Sequence, residues 1–101
     1  MPNTNIKKVI AKDADVFNAG TSSGIALPFN FLRQGLTMIN ISANFISISF
    51  GGTAAVIYKG ITLVPGGGTW SMDDYTFTDE IINAVASAAN STLVIQEYVG
   101  A

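Results

Sequence analysis

The sequence predicts an all-β protein: a single antiparallel β-sandwich domain, jelly-roll-like, preceded by a short extended N-terminal segment. Three observations carry that reading. Between Leu36 and Pro65 apolar residues alternate with Ser, Thr and Asn, the period of two that puts every second side chain on one face of a strand. The runs stop where turn chemistry begins, at Ala43-Asn44, Gly51-Gly52, Lys59-Gly60 and Pro65-Gly66. Finally, short runs follow one another closely along the chain, a spacing that suits a sandwich or jelly roll.

The elements follow in order. Residues 1–12 form an N-terminal extended segment or arm and residues 13–101 the sandwich. Within the first, Ile6 to Ala11 is either a strand, with Lys7 and Lys8 breaking strict alternation, or an arm lying on a neighbour. Asp13 to Gly20, with Val16 and Phe17, is a second short strand or turn, and Thr21 to Gly24 is a loop. Ile25 to Phe29 is extended because Leu27 precedes Pro28 and is pushed out of the helical region. Strands are then expected at Leu36–Ser42, Phe45–Phe50, Ala54–Tyr58, Gly60–Val64, Thr69–Met72, Ile81–Ala86 and Thr92–Tyr98. The alanines of segment 80–89 tolerate a helix, but its Val and Ile content favours a strand.

Alternation also assigns faces. Ile46, Ile48 and Phe50 share one face and Phe45, Ser47 and Ser49 the other; Ile61 pairs with Leu63 and Leu93 with Ile95. These pairs are expected to line the core, joined by Ile39, Ile41 and Ile82. From Leu36 to Ile41 both faces carry aliphatics, so that strand is either central or half covered by a partner.

Composition narrows the function. The 101 residues include no cysteine and no histidine. That removes disulfides, thiol catalysis, Cys-type zinc sites, the usual general base and the commonest transition-metal ligand. Five basic and seven acidic residues leave a net charge of −2, no electrostatic footprint for nucleic acid. Charged residues make up only 12% of the chain, against about 25% in ordinary domains, so much of the surface must be neutral or apolar. Such surfaces usually mark interfaces, and an oligomer is expected. Apolar runs are broken by Asn, Ser or Gly well short of the ~20 residues of a membrane span. Met1-Pro2-Asn3-Thr4-Asn5 does not open a signal peptide, so synthesis in the cytoplasm is expected.

Candidate chemistry is sparse. Gly66-Gly67-Gly68 is followed by Thr69-Trp70-Ser71 and not by the Lys-Ser/Thr sequel of a phosphate cradle, so it reads as a turn. Asp73, Asp74, Asp79 and Glu80 bracket Tyr75-Thr76-Phe77-Thr78 without the ligand order of a calcium loop, and read as a solvated loop. No cleft signature accompanies them to suggest a carboxylate-pair hydrolase. Trp70, Tyr75 and Phe77 either stack on a sugar or anchor a protein contact, or Trp70 caps the core. Arg33 and Lys59 are candidates for pairing with acidic neighbours across a subunit boundary. Lys7, Lys8 and Lys12 make the N-terminus the basic segment, either a reaching arm or a solubilising tail.

Residues 33–42 (RQGLTMINIS), 46–52 (ISISFGG) and 60–67 (GITLVPGG), with a late Ile-rich strand, the turn Ala86 to Asn90 and the strand Leu93–Glu97, resemble a pattern common in small virion proteins of tailed bacteriophages. The resemblance spans residues 31–98. It implies a β-sandwich decoration (cement) or head-fibre module seated on the capsid, commonly as a trimer. The expected function is therefore structural and non-enzymatic, without cofactor or metal. Its expected partners are the major capsid protein and its own copies, with no nucleic acid and no membrane, and its place is the capsid exterior. Lys7, Lys8, Arg33, Trp70, Tyr75, Phe77 and Tyr98 are the candidate interface residues, with the N-terminal segment and the strand Leu93 to Tyr98 as the interface elements. The alternative is a receptor- or carbohydrate-binding module of a fibre or tail.

Overall fold

A computed structural model describes residues 8–73 and 75–100. Among these residues nine strands form: β1 (Val9–Ala11), β2 (Asp15–Ala19), β3 (Gly24–Leu27), β4 (Arg33–Asn40), β5 (Ile46–Phe50), β6 (Ile61–Leu63), β7 (Gly68–Ser71), β8 (Ile82–Ala86) and β9 (Ser91–Gly100). They make two antiparallel sheets packed as a β-sandwich. Sheet I has the order β1-β9-β4-β7, with β2 also pairing with β9; sheet II has the order β3-β8-β5-β6. β1 and β2 lie against successive stretches of β9, so the expected boundary between arm and sandwich at residue 12 falls between two segments of one sheet edge.

The core follows the alternation. Sheet I turns Leu36, Met38, Leu93 and Ile95 inward; sheet II turns Leu27, Ile46, Ile48, Leu63, Ile82, Ala84 and Ala86 against them. Each large aliphatic so buried contributes on the order of 1.5–3 kcal/mol. The alanine-rich segment is a strand because it is central in its sheet, between β3 and β5, where small side chains let neighbours close over it.

Two expectations are corrected. Ile39 and Ile41 do not join the core. Leu36 and Met38 take the inward parity of β4, which turns Ile39 outward, and Ile41 beyond the strand end is exposed. Residues 54–58 are not a strand either. The loop from Gly51 to Gly60 folds flat over the outer face of sheet II, and its backbone bonds to side chains in place of a neighbouring strand. The Ala55 amide donates to Ser23 Oγ (2.9 Å) and the Tyr58 amide to Ser47 Oγ (2.7 Å). Asn83 Nδ2 donates to the carbonyls of Gly51 and Thr53 at 3.0 and 2.9 Å. Ser47, Asn83 and Val85, which face outward, are buried beneath that loop.

The glycine turn is ordered. The amides of Gly66 and Gly67 donate to the carbonyls of Ser42 and Asn40, and both glycines have positive φ (72° and 122°). A Cβ on Gly68 would come within 2.6 Å of the Val64 carbonyl oxygen, so the backbone closes there only with glycine.

Candidate interaction surface

At one end of the sandwich a β-bulge decides the chemistry. β4 pairs Gly35 with Tyr98 and Arg33 with Val99, leaving Gln34 as an extra residue. Without it Arg33 would share the outward parity of Gly35 and Thr37; with it the side chain turns inward and is fully buried. Its Nε donates to Glu97 Oε2 at 2.7 Å. Nη1 donates to the carbonyls of Thr78 (3.0 Å) and Glu80 (2.9 Å), and Nη2 to that of Pro28 (2.9 Å). Lys12 completes the group by donating from Nζ to Glu97 Oε1 at 3.2 Å. Burial alone would raise the Glu97 pKa and is the largest single influence. Hydrogen bonds from Arg33, Lys12 and Asn30, with the Arg33 charge, outweigh it and hold the carboxyl below its ordinary value.

This cation ties two loops together. One runs from Pro28 to Leu32; the other leaves β7 and returns through Asp79, whose carbonyl accepts from the Asn30 amide at 2.9 Å. Both display apolar side chains to solvent. Phe29, Phe31 (72% exposed) and Leu32 stand on the first, Tyr75 (98% exposed) and Phe77 on the second, and Val9 and Ile10 of β1 border the same end of β9. An open cavity of about 590 Å³ is lined here by Leu27, Phe29, Leu32 and Val99, with Lys12 and Glu97. Exposed apolar residues scattered singly are ordinary; here five stand on two loops fixed by a buried ion pair.

The opposite end of β4 is wired without charge. Buried Asn40 donates from Nδ2 to the carbonyls of Asn44 (2.7 Å), Leu63 (2.9 Å) and Val64 (3.1 Å). Its Oδ1 accepts from the Ser42 amide and hydroxyl at 2.9 and 2.7 Å. Among the described residues no buried side-chain nitrogen or oxygen lacks a partner.

The residues singled out from sequence separate accordingly. Arg33 is corrected: it pairs within the subunit, with Glu97, and not across a boundary. Trp70 turns toward the core and stacks at a tilt on Phe50, centroids 5.4 Å apart, the placement expected of a residue that caps the core. Tyr75 and Phe77 are exposed and lie on the loop fixed by Arg33. Tyr98 lies half-buried on the outer face of sheet I, its ring over Gly35, filling the space that glycine leaves. Lys8 is exposed, while Lys7 and Asp74 lie outside the described residues.

Asp73 caps its own turn, Oδ1 accepting from the amides of Tyr75 (2.8 Å) and Thr76 (3.0 Å) and from the Thr76 hydroxyl. Those bonds, Tyr75 first, hold its pKa below the usual value. Among the described residues no acidic group gathers as a metal site. Sequence reasoning missed Phe29, Phe31 and Leu32, and it missed Glu97. The spacing Leu93, Ile95, Glu97 carried the signal for the last, since it places a carboxylate on the core-facing parity and calls for a buried cation opposite.

No protein-family model matches this sequence, and no curated protein matches it. Among solved structures, a chain from Bacillus endospore appendages, described as a novel family of disulfide-linked pili, has a similar fold: TM-score 0.55, 12% identity, with 99% of this chain and 95% of that chain covered. At that identity the likeness bears on the fold. The 101 residues here contain no cysteine with which to form such links.

Proposed function

We propose that this protein is a structural, non-enzymatic subunit that decorates the outside of a bacteriophage capsid, seating its Arg33 end on the major capsid protein. The observation that carries the reading is the gathering of Phe29, Phe31, Leu32, Tyr75 and Phe77 on two loops that the buried Arg33–Glu97 pair fixes together. An apolar contact surface of this kind works best when pre-organised, because little loop entropy is then lost on docking. The sequence resemblance supplies the shell as partner, and the low charge of the chain suits contact by packing. Several copies engaging a symmetric lattice gain avidity without a strong single contact.

The test is the copy number of the protein in purified virions, by quantitative mass spectrometry against the major capsid protein. Hundreds of copies support decoration; none overturns it. Phe31→Ser with Tyr75→Ser should lower incorporation at least tenfold while changing folding stability by no more than ~0.5 kcal/mol. A few copies per virion, with host adsorption and not incorporation lost in that variant, would instead assign a receptor-binding role on a fibre or tail.

A further inference from the structure

The two sheets differ on their outer faces. That of sheet II is covered over its central strands β5 and β8 by the chain's own loop from Gly51 to Gly60, whereas that of sheet I has no cover among the described residues. The register places Val16 opposite Val94 and Val94 opposite Ile39, so three aliphatics form a row across β2, β9 and β4. Ile41, whose amide donates to the Thr92 carbonyl at 3.2 Å, extends the apolar area, and Val16 is 68% exposed. Around the row stand Thr37, Gln96, Ser71 and Asn18, and none of the positions that the register turns to this face is charged.

We infer that this face pairs with the same face of a second copy, sheet on sheet about a two-fold axis. Neutrality argues for a copy as the occupant. In a two-fold contact a patch meets its own copy, so a patch carrying one sign of charge would repel itself; a face free of charge meets no such penalty, and Thr and Gln can donate and accept equally across the interface. A charged partner would find nothing on it to pair with. Packing of this kind aligns two sheets about 10 Å apart, with the aliphatic rows interdigitating.

Size sets the strength. Four strands at ~4.8 Å spacing and about eight residues at ~3.3 Å rise project roughly 500 Å². That lies below the ~800 Å² per partner of a standard interface, so the dimer is reversible and forms at high local concentration. The contact uses a different surface from the Arg33 end and does not depend on what that end binds.

Sedimentation equilibrium up to millimolar concentration tests it. The wild-type mass should rise toward two subunits. Val16→Lys, on an exposed edge position that does not disturb folding, should weaken association about tenfold or more by placing unpaired charge of one sign on a neutral contact face. Val56→Lys, on the loop that covers sheet II, should leave it unchanged. A mass that stays at one subunit or converges on three, or a dimer that Val16→Lys does not weaken more than Val56→Lys does, overturns the proposal.

Discussion

Strand β4 carries a buried polar side chain at each end, and the two do the same geometric job: Arg33 and Asn40 each gather three main-chain carbonyls from two segments of chain. They do it with opposite electrostatics. Asn40 is neutral and closes on Ser42 and the glycine turn, where short polar segments need little reach. Arg33 collects its carbonyls with its five-donor fork, and its charge then requires the Glu97 carboxylate, whose other oxygen pairs with Lys12. The cation sits under the loops that display aromatics, the neutral amide under turns that mostly do not. A charged pin thus holds the loops proposed to make contact, and a neutral one closes the far end.

The largest effect should come from breaking the charged end alone. Arg33→Met leaves Glu97 buried without its main partner and three carbonyls without a donor, and should cost about 3–5 kcal/mol in a denaturant titration. Arg33→Met with Glu97→Leu should recover part of that loss, because the stranded carboxylate is gone; the remaining deficit measures the carbonyls of Pro28, Thr78 and Glu80. Full recovery would mean that the carbonyls find water and that the pin matters only for charge.

Asn40→Ala breaks the neutral end. It removes a hydrogen-bonded amide but strands no charge, so about 2–3 kcal/mol is expected by the same titration, less than for Arg33→Met. An equal or larger cost would show that the polar turns, and not the ion pair, dominate the stability of β4.

How far these ends were legible differs for a physical reason. Strand alternation is local, so the sandwich and most of the core, Ile46 with Ile48 and Leu93 with Ile95, could be read directly. A bulge is set by pairing between residues far apart in sequence, Gly35 with Tyr98 and Arg33 with Val99, and it reverses parity beyond it; hence Arg33, outward by counting, is inside. Residues 54–58 have the composition of a strand, but their hydrogen bonds go to Ser23 and Ser47, partners that no periodicity within the segment can announce. Ile39 and Ile41 were misplaced because both parities of β4 are aliphatic and the polarity of Asn40, which is buried on the inward parity with Leu36 and Met38, points the wrong way.

The smallest effect, and the sharpest separation of the two ends, is the response to acid. Glu97 holds its proton less tightly when folded than in the unfolded chain, where its value is near 4.5. Its contribution to stability is therefore complete above that value and declines as pH falls through the lower folded one, because the unfolded chain binds the proton first. Asp73 shifts in the same direction through its turn hydrogen bonds, so some acid sensitivity persists without Glu97. Stability measured from neutral pH downward should be level and then fall below about pH 4.5. Arg33→Met with Glu97→Leu should lose the Glu97 share of that fall. Asn40→Ala should begin lower and descend in parallel with the wild type, since it removes no titrating group. If Asn40→Ala flattened the profile as much as the double substitution, the two ends would share one electrostatic network and their separation along β4 would be geometric only.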